Sequence, residues 1–224
     1  MDSAADNAAG DDYADRREQM VRQQIVGRNI ADPAILAAMR AVPREQFVLE
    51  PYRQYAYDDT PLPIPANQTI SQPYIVAYMI AALALGPEDR VLEIGTGSGY
   101  AAAVLSRIVR EVYTVERHYK LADYARQRLE RLGYDNVQVR HGDGTRGWPE
   151  HAPYNGIIVA AGGPVVPESL REQLALGGRL VIPVGRSRSQ QNLIFITRVD
   201  EDSYRDEMLV PVAFVPLIGD EGWS

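Results

Sequence analysis

Apolar positions recur along this chain with two spacings, about 3.6 residues and two residues, and their alternation predicts an α/β fold. The first fourteen residues are mostly Asp, Ala, Asn and Gly with almost nothing to bury. Their composition predicts a disordered tail. From Asp15 the pattern changes: Met20, Gln24 and Ile25 fall at helical intervals, and Gly27 with Asn29 supplies a stop. Asp32-Pro33 opens a second helix, an N-cap followed by proline at the first helical position, which runs through Ile35, Leu36 and Met39. Both helices are amphipathic covers for a main domain. Pro51, Pro61, Pro63, Pro65 and Pro73 then keep the backbone extended and irregular until a helix from about Pro73 to Ala84.

Short apolar runs next alternate with helix-compatible stretches. Val91–Ile94, Val112–Arg117, Val137–Arg140, Tyr154–Ala161 and Arg179–Gly185 read as strands. The run from Tyr154 is the most apolar, as expected at the centre of a parallel sheet covered on both faces. Helices are predicted after Gly99, over Tyr119–Leu132 with Gly133 as stop, and over Pro167–Leu176 ahead of Gly177-Gly178. The polar run Arg186 to Gln191 turns the chain, and Asn192–Val199 and Met208–Leu217 alternate as a terminal antiparallel pair. The expectation is a doubly wound, mostly parallel sheet with N-terminal helices, in one domain over 15–224. Within it, 15–72 would hold the N-terminal helices and a substrate loop, 73–185 a cofactor-binding core, and 186–224 the C-terminal strands.

Composition narrows the chemistry. A net charge of −7 opposes binding to a phosphate backbone, so no nucleic-acid partner is expected. No apolar run reaches about 18 residues and the N-terminus is acidic, so the sequence predicts neither a membrane span nor a secretory signal, with a cytoplasmic location as the default; a monomer is expected, though the sequence does not itself give the oligomeric state. Cysteine is absent, which removes disulfides, thiolate metal sites and thiol nucleophiles together. His118, His141 and His151 are scattered without metal spacing. Whatever reaction occurs needs no metal, no thiol and no histidine triad.

The most informative stretch is Val91-Leu92-Glu93-Ile94-Gly95-Thr96-Gly97-Ser98-Gly99-Tyr100, a strand ending in three alternating glycines before a helix. Glycine tolerates positive φ there and lets a ligand approach the backbone. A dinucleotide fingerprint would place its third glycine at Tyr100, one residue later than Gly99, and a phosphate loop would end in Gly-Lys-Ser/Thr. What remains resembles the first motif of the S-adenosylmethionine-dependent methyltransferases, with Glu93 as the acidic residue ahead of the glycines. A plain strand-to-helix turn is the competing reading. Glu116, ending the next strand, can accept hydrogen bonds from both ribose hydroxyls, or be an ordinary charge at a strand terminus. Asp143, between Gly142 and Gly144, sits at the carboxyl end of a strand, where ligands gather, or in a simple Asp-Gly turn.

Upstream lies Asn67-Gln68-Thr69-Ile70-Ser71-Gln72-Pro73-Tyr74, with uncharged hydrogen-bonding side chains at Gln68, Thr69 and Ser71. Locally, helix capping explains Ser71 well. Read together with the glycine motif, however, Gln-Thr-Ile-Ser-Gln-Pro resembles the protein-L-isoaspartate O-methyltransferases, the repair enzymes for aged aspartyl sites. The resemblance begins near Met20-Val21-Arg22-Gln23-Gln24, includes Ala38 to Val48, and continues to Phe214-Val215-Pro216-Leu217. Only about the first fifteen residues and the last few lie outside it.

The resemblance implies S-adenosyl-L-methionine as cofactor and isoaspartyl-containing proteins and peptides as substrates. It assigns Thr69, Glu93, Gly95, Thr96, Gly97, Ser98, Gly99, Glu116, Arg117, Asp143 and Gly144 to the cofactor, Asp143 meeting the adenine amino group. Gln68, Ile70, Val215 and Leu217 go to the substrate, and Ser71 orients its carboxylate as the catalytic residue. Three departures stand out: Asn155 where relatives carry aspartate, Gly162-Gly163 where alanines or prolines are usual, and Pro65-Ala66-Asn67 where glycines are common. Two rival functions follow, a methyltransferase of the same fold acting on another peptide or small-acid carboxylate, and an inactive cofactor-binding module.

Overall fold

The computed structural model describes residues 3–224, with side chains from Asp12 onward. Helix α1 (Ser3–Met20) takes in most of the segment expected to be a disordered tail, where alanine, the best helix former, recurs. Met1 and Asp2 lie outside the described residues. A π turn at Val21–Ile25 and a 3-10 turn at Val26–Arg28 follow, ended by Asn29 in the left-handed region at φ 66. Helix α2 (Pro33–Ala41) starts as its sequence dictates: the Asp32 carboxylate accepts from Ala34 N at 2.8 Å and Ile35 N at 3.2 Å.

The proline-rich connection is more ordered than its composition suggests. It makes a 3-10 turn at Glu50–Tyr55 and then a hairpin of β1 (Leu62–Ile64) and β2 (Gln68–Ile70). Alternate side chains Leu62, Ile64 and Ile70 are buried, so docking of one face supplies what prolines deny in regular helix. Helix α3 (Pro73–Leu83) comes next.

The remaining elements are β3 (Arg90–Ile94), α4 (Tyr100–Ser106), β4 (Glu111–Glu116), α5 (Tyr119–Arg131), β5 (Val137–His141), β6 (Tyr154–Val159), α6 (Glu168–Glu172), β7 (Leu174–Ser187), β8 (Gln190–Arg198) and β9 (Tyr204–Val212). They form a seven-stranded sheet in the order β5-β4-β3-β6-β7-β8-β9. The pairings from β5 through β7 are parallel and the last two antiparallel, the doubly wound architecture expected. Alternate residues feed two cores. Val91, Ile158 and Val181 face the side covered by the N-terminal elements, α3 and α4. Leu92, Ile157, Val159, Leu180 and Ile182 face the other.

Two boundaries differ from the sequence expectation. The helix expected over Pro167–Leu176 stops at Glu172, because Leu174 is drawn into β7 beside Tyr154. The strand expected over Met208–Leu217 lies at Tyr204–Val212, while Phe214 to Leu217 leave it to bridge Gly162 at the end of β6. Alternation cannot separate a ladder from an extended segment of the same period.

Candidate functional site

β3 is flanked by β4 on one side and β6 on the other, so the strand order reverses around it and opens a crevice at the carboxyl ends. The alternating glycines lie there with φ of 92 at Gly95, 53 at Gly97 and 88 at Gly99. A β-carbon at Gly97 would come within 3.3 Å of Ile64 Cδ1, so the glycine is needed both for its backbone and for the hairpin packed against it.

Two carboxylates face this cleft from below. Glu93 is 1% exposed and accepts from Thr114 Oγ1 at 2.6 Å, and Thr114 is in turn 2.6 Å from Thr96 Oγ1. Burial pushes the Glu93 carboxyl up to about 8, against the Thr114 hydrogen bond, with the charge of Glu116 adding to the rise. Glu116, also buried, accepts from Gly97 N at 3.0 Å through one oxygen and from His118 N at 2.9 Å through the other. It thereby clamps the glycine turn to the end of β4.

The hairpin and the start of α3 close the opposite wall. Gln68, Thr69, Ile70 and Ser71 line the same cleft as Glu93, Gly95, Thr96, Gly97, Ser98, Glu116, Arg117 and Gly144. Capping does not hold Ser71: the N-cap of α3 is Gln72, and no side chain caps the helix. Val215 and Leu217 complete the wall, their backbone paired with Gly162 at 2.7 and 2.8 Å. Residues the sequence placed some 145 positions apart, from Thr69 to Val215, thus meet in one cleft.

Gly99 and Asp143 do not line it. Gly99 shapes the turn into α4 from behind, against Leu129. Asp143 accepts from Thr145 N and Oγ1 through one oxygen and from Asp220 N, at 2.8 Å, through the other. Partial burial raises its carboxyl, but these hydrogen bonds outweigh that and leave it below the usual range. Sequence reasoning did not assign ten of the lining residues, among them Val76, Ile94, Tyr100, Val115, His118 and Ile218. Those that adjoin a motif residue, such as Ile94, Tyr100, Val115, His118 and Ile218, had that adjacency as a signal, whereas Val76 and Ala160 had none.

The departures also find places. Asn155 lies at the opposite end of β6, where its Oδ1 accepts from Arg90 N at 2.9 Å, so the missing charge does not touch the cleft. At Gly162 a β-carbon would sit 2.8 Å from Gln191 Cδ, so a larger residue there would force Gln191 to shift. Pro65-Ala66-Asn67 is the hairpin turn, exposed and with Ala66 at φ 59. Among the described residues, no group of three or more His, Asp or Glu side chains is placed to hold a metal, and no helix is long and apolar enough to cross a membrane.

Residues 15–222 match the sequence model of the family described as Protein-L-isoaspartate(D-aspartate) O-methyltransferase. A protein-L-isoaspartate O-methyltransferase of Pelobacter propionicus is 66% identical over 93% of this chain and 92% of its own length. One from Rhodopseudomonas palustris is 61% identical over 95% of this chain and 86% of its own. Among solved structures, a protein-L-isoaspartate O-methyltransferase superposes with a TM-score of 0.84 at 33% identity, covering 92% of this chain and 67% of the other. A Plasmodium falciparum structure of that description, in complex with S-adenosyl-L-homocysteine, gives 0.76 at 26% identity over 92% of this chain and 98% of the other.

Proposed function

Since the chain belongs to the protein-L-isoaspartate(D-aspartate) O-methyltransferase family, we propose that the hydroxyl of Ser71 holds the acceptor carboxylate, opposite a cofactor seated on the glycine turn. The protein is an S-adenosylmethionine-dependent carboxyl methyltransferase acting on L-isoaspartyl residues. The cleft suits that cofactor. The alternating glycines of the turn leave room for it, Glu93 can answer a positive charge, Glu116 can accept from hydroxyls, and Ile94, Val115 and Leu217 supply apolar walls.

S-adenosylmethionine supplies the methyl group as an activated sulfonium. The acceptor, with an unperturbed pKa of about 4, is already ionised near neutral pH, so the chain needs no strong general base. What its residues provide is alignment, a contribution of roughly 7–11 kcal/mol where geometry is right. Ser71 would donate to one carboxylate oxygen, while Ile70 and Val215 offer backbone groups along the peptide and Gln68 and Leu217 border it. Thr69, Gly95, Thr96, Ser98, Arg117 and Gly144 would surround the cofactor. Asp143 acts at one remove, holding Gly144 and the segment after Leu217 in place. Its Oδ2, which accepts only from Asp220 N, keeps a lone pair that could also accept from the adenine amino group. The neutral ester then cyclises more readily than the carboxylate, expelling methanol as the succinimide forms, and hydrolysis of the ring regenerates normal aspartate in part.

We place the reaction in one unit over 15–224, with the three parts named from the sequence meeting at the cleft, and read the chain as a cytoplasmic monomer without nucleic-acid or membrane partners. The observation that carries the reading is Ser71 in the wall of the cleft that the glycine turn also lines, and unused as a cap. A hydrogen bond to a charged group contributes about 1.5–3 kcal/mol, so Ser71→Ala should lower turnover on an isoaspartyl peptide roughly 10- to 100-fold. Cofactor affinity by calorimetry should hardly change. Equal loss of both would contradict the assignment.

A further inference from the structure

Arg44 is 0% exposed, and among the described residues no carboxylate pairs with it. Burying a guanidinium that way is costly, and a fold does so only where its donors meet fixed acceptors. Its Nε donates to Ala56 O at 2.7 Å and its Nη2 to Ser71 O at 2.8 Å, while Nη1 has no protein partner. The guanidinium carbon stands 4.7 Å from the centre of the Tyr100 ring. Tyr100 is the first residue of α4 and lines the cleft. One buried side chain therefore grips the peptide bond of Ser71 and rests on the residue that follows the alternating glycines.

We propose that Arg44 is a positioning residue for methyl transfer, fixing the Ser71 backbone, and through it the hydroxyl, relative to the helix that carries the cofactor turn. The inference rests on the reading of Ser71 given above. It accounts for how Ser71 keeps its place when neither its own side chain nor that of Gln72 caps α3. The planar fork of arginine reaches two carbonyls at once, whereas an ammonium reaches one with less directional control. A permanent positive charge behind Ser71 also favours an anionic acceptor over the neutral ester.

The test uses Arg44→Lys and Arg44→Met, alone and combined with Ser71→Ala, assayed on an isoaspartyl peptide, with S-adenosylmethionine binding followed by calorimetry. Arg44→Lys should lower kcat about 5-fold and Arg44→Met about 10-fold or more, with the peptide KM raised and cofactor affinity within about 3-fold. Because Arg44 acts through Ser71, adding Arg44→Lys to Ser71→Ala should cost less than about 2-fold further. The inference is overturned if kcat of Arg44→Lys matches wild type, if its loss multiplies in full with that of Ser71→Ala, or if cofactor affinity falls in step with kcat. Should Arg44→Met fail to fold, the lysine series decides. A silent Ser71→Ala instead refutes the reading of Ser71 and takes this inference with it, whereas a damaging Ser71→Ala beside an unaffected Arg44→Lys refutes Arg44 alone.

Discussion

Glu93 shows most directly how one side chain can be visible in a sequence while its protonation state is not. Its position ahead of the glycines marked it, but only burial between β4 and the cleft raises its carboxyl to about 8. The folded chain therefore holds a proton there that the unfolded chain, near the ordinary 4.5, has lost. Protons bound in the folded state and absent from the unfolded one mean that stability falls as pH rises through that interval. Two outcomes follow. The cofactor-free protein should lose thermal stability between about pH 5 and 8, and Glu93→Gln should flatten that slope. Binding of the cationic cofactor, which favours ionised Glu93, should release close to one proton at pH 7, measurable by calorimetry in buffers of different ionisation enthalpy. Ser71 is the complementary lesson. From sequence alone its hydroxyl had two uses, and the cap at Gln72 removes one of them.

At the scale of elements, the hairpin β1–β2 was hidden behind its prolines. Pro63 and Pro65 are compatible with it because Pro63 is on an exposed face and Pro65 begins the turn, so neither interrupts a central ladder. The turn itself carries strain: Asn67 tolerates φ 54, but Ala66 at φ 59 places its β-carbon against the backbone. Ala66→Gly should therefore raise stability by about 0.5–1 kcal/mol, or roughly 2 °C in Tm. The turn is exposed and lies beyond the cleft lining, so turnover should be unchanged. The end of β6 is tight instead of strained. Gln191, 3% exposed, accepts from Phe214 N at 2.7 Å, and a methyl group at Gly162 would push into it. Gly162→Ala should cost about 1–3 kcal/mol, seen in urea unfolding, and disturb peptide binding through the adjoining Val215.

Across the whole molecule, the last residues act as a clasp over the carboxyl edge of the sheet. Trp223 Nε1 donates to Gly162 O at 2.9 Å, Glu221 holds Ser169 at the start of α6, and Asp220 N holds Asp143 beyond β5. Trp223→Ala should lower stability by about 2 kcal/mol and weaken cofactor and peptide together, since Leu217 and Ile218 line the cleft just before it. None of these ties was readable from the terminal sequence, whose polar and small residues look unoccupied. What the chain order did determine is what local physics controls: the Asp32 cap, the strand at β3 with its glycine turn, the period-two runs of the sheet, and the acidic ends Glu93 and Glu116. Those depend on neighbours a few positions away. The raised carboxyl of Glu93, the withdrawal of Asp143 from the cleft, the hairpin against Gly97 and the grip of Arg44 on Ser71 depend on desolvation and on contacts between distant segments. Only the folded arrangement could decide them, because burial and long-range hydrogen bonding leave no local period to read.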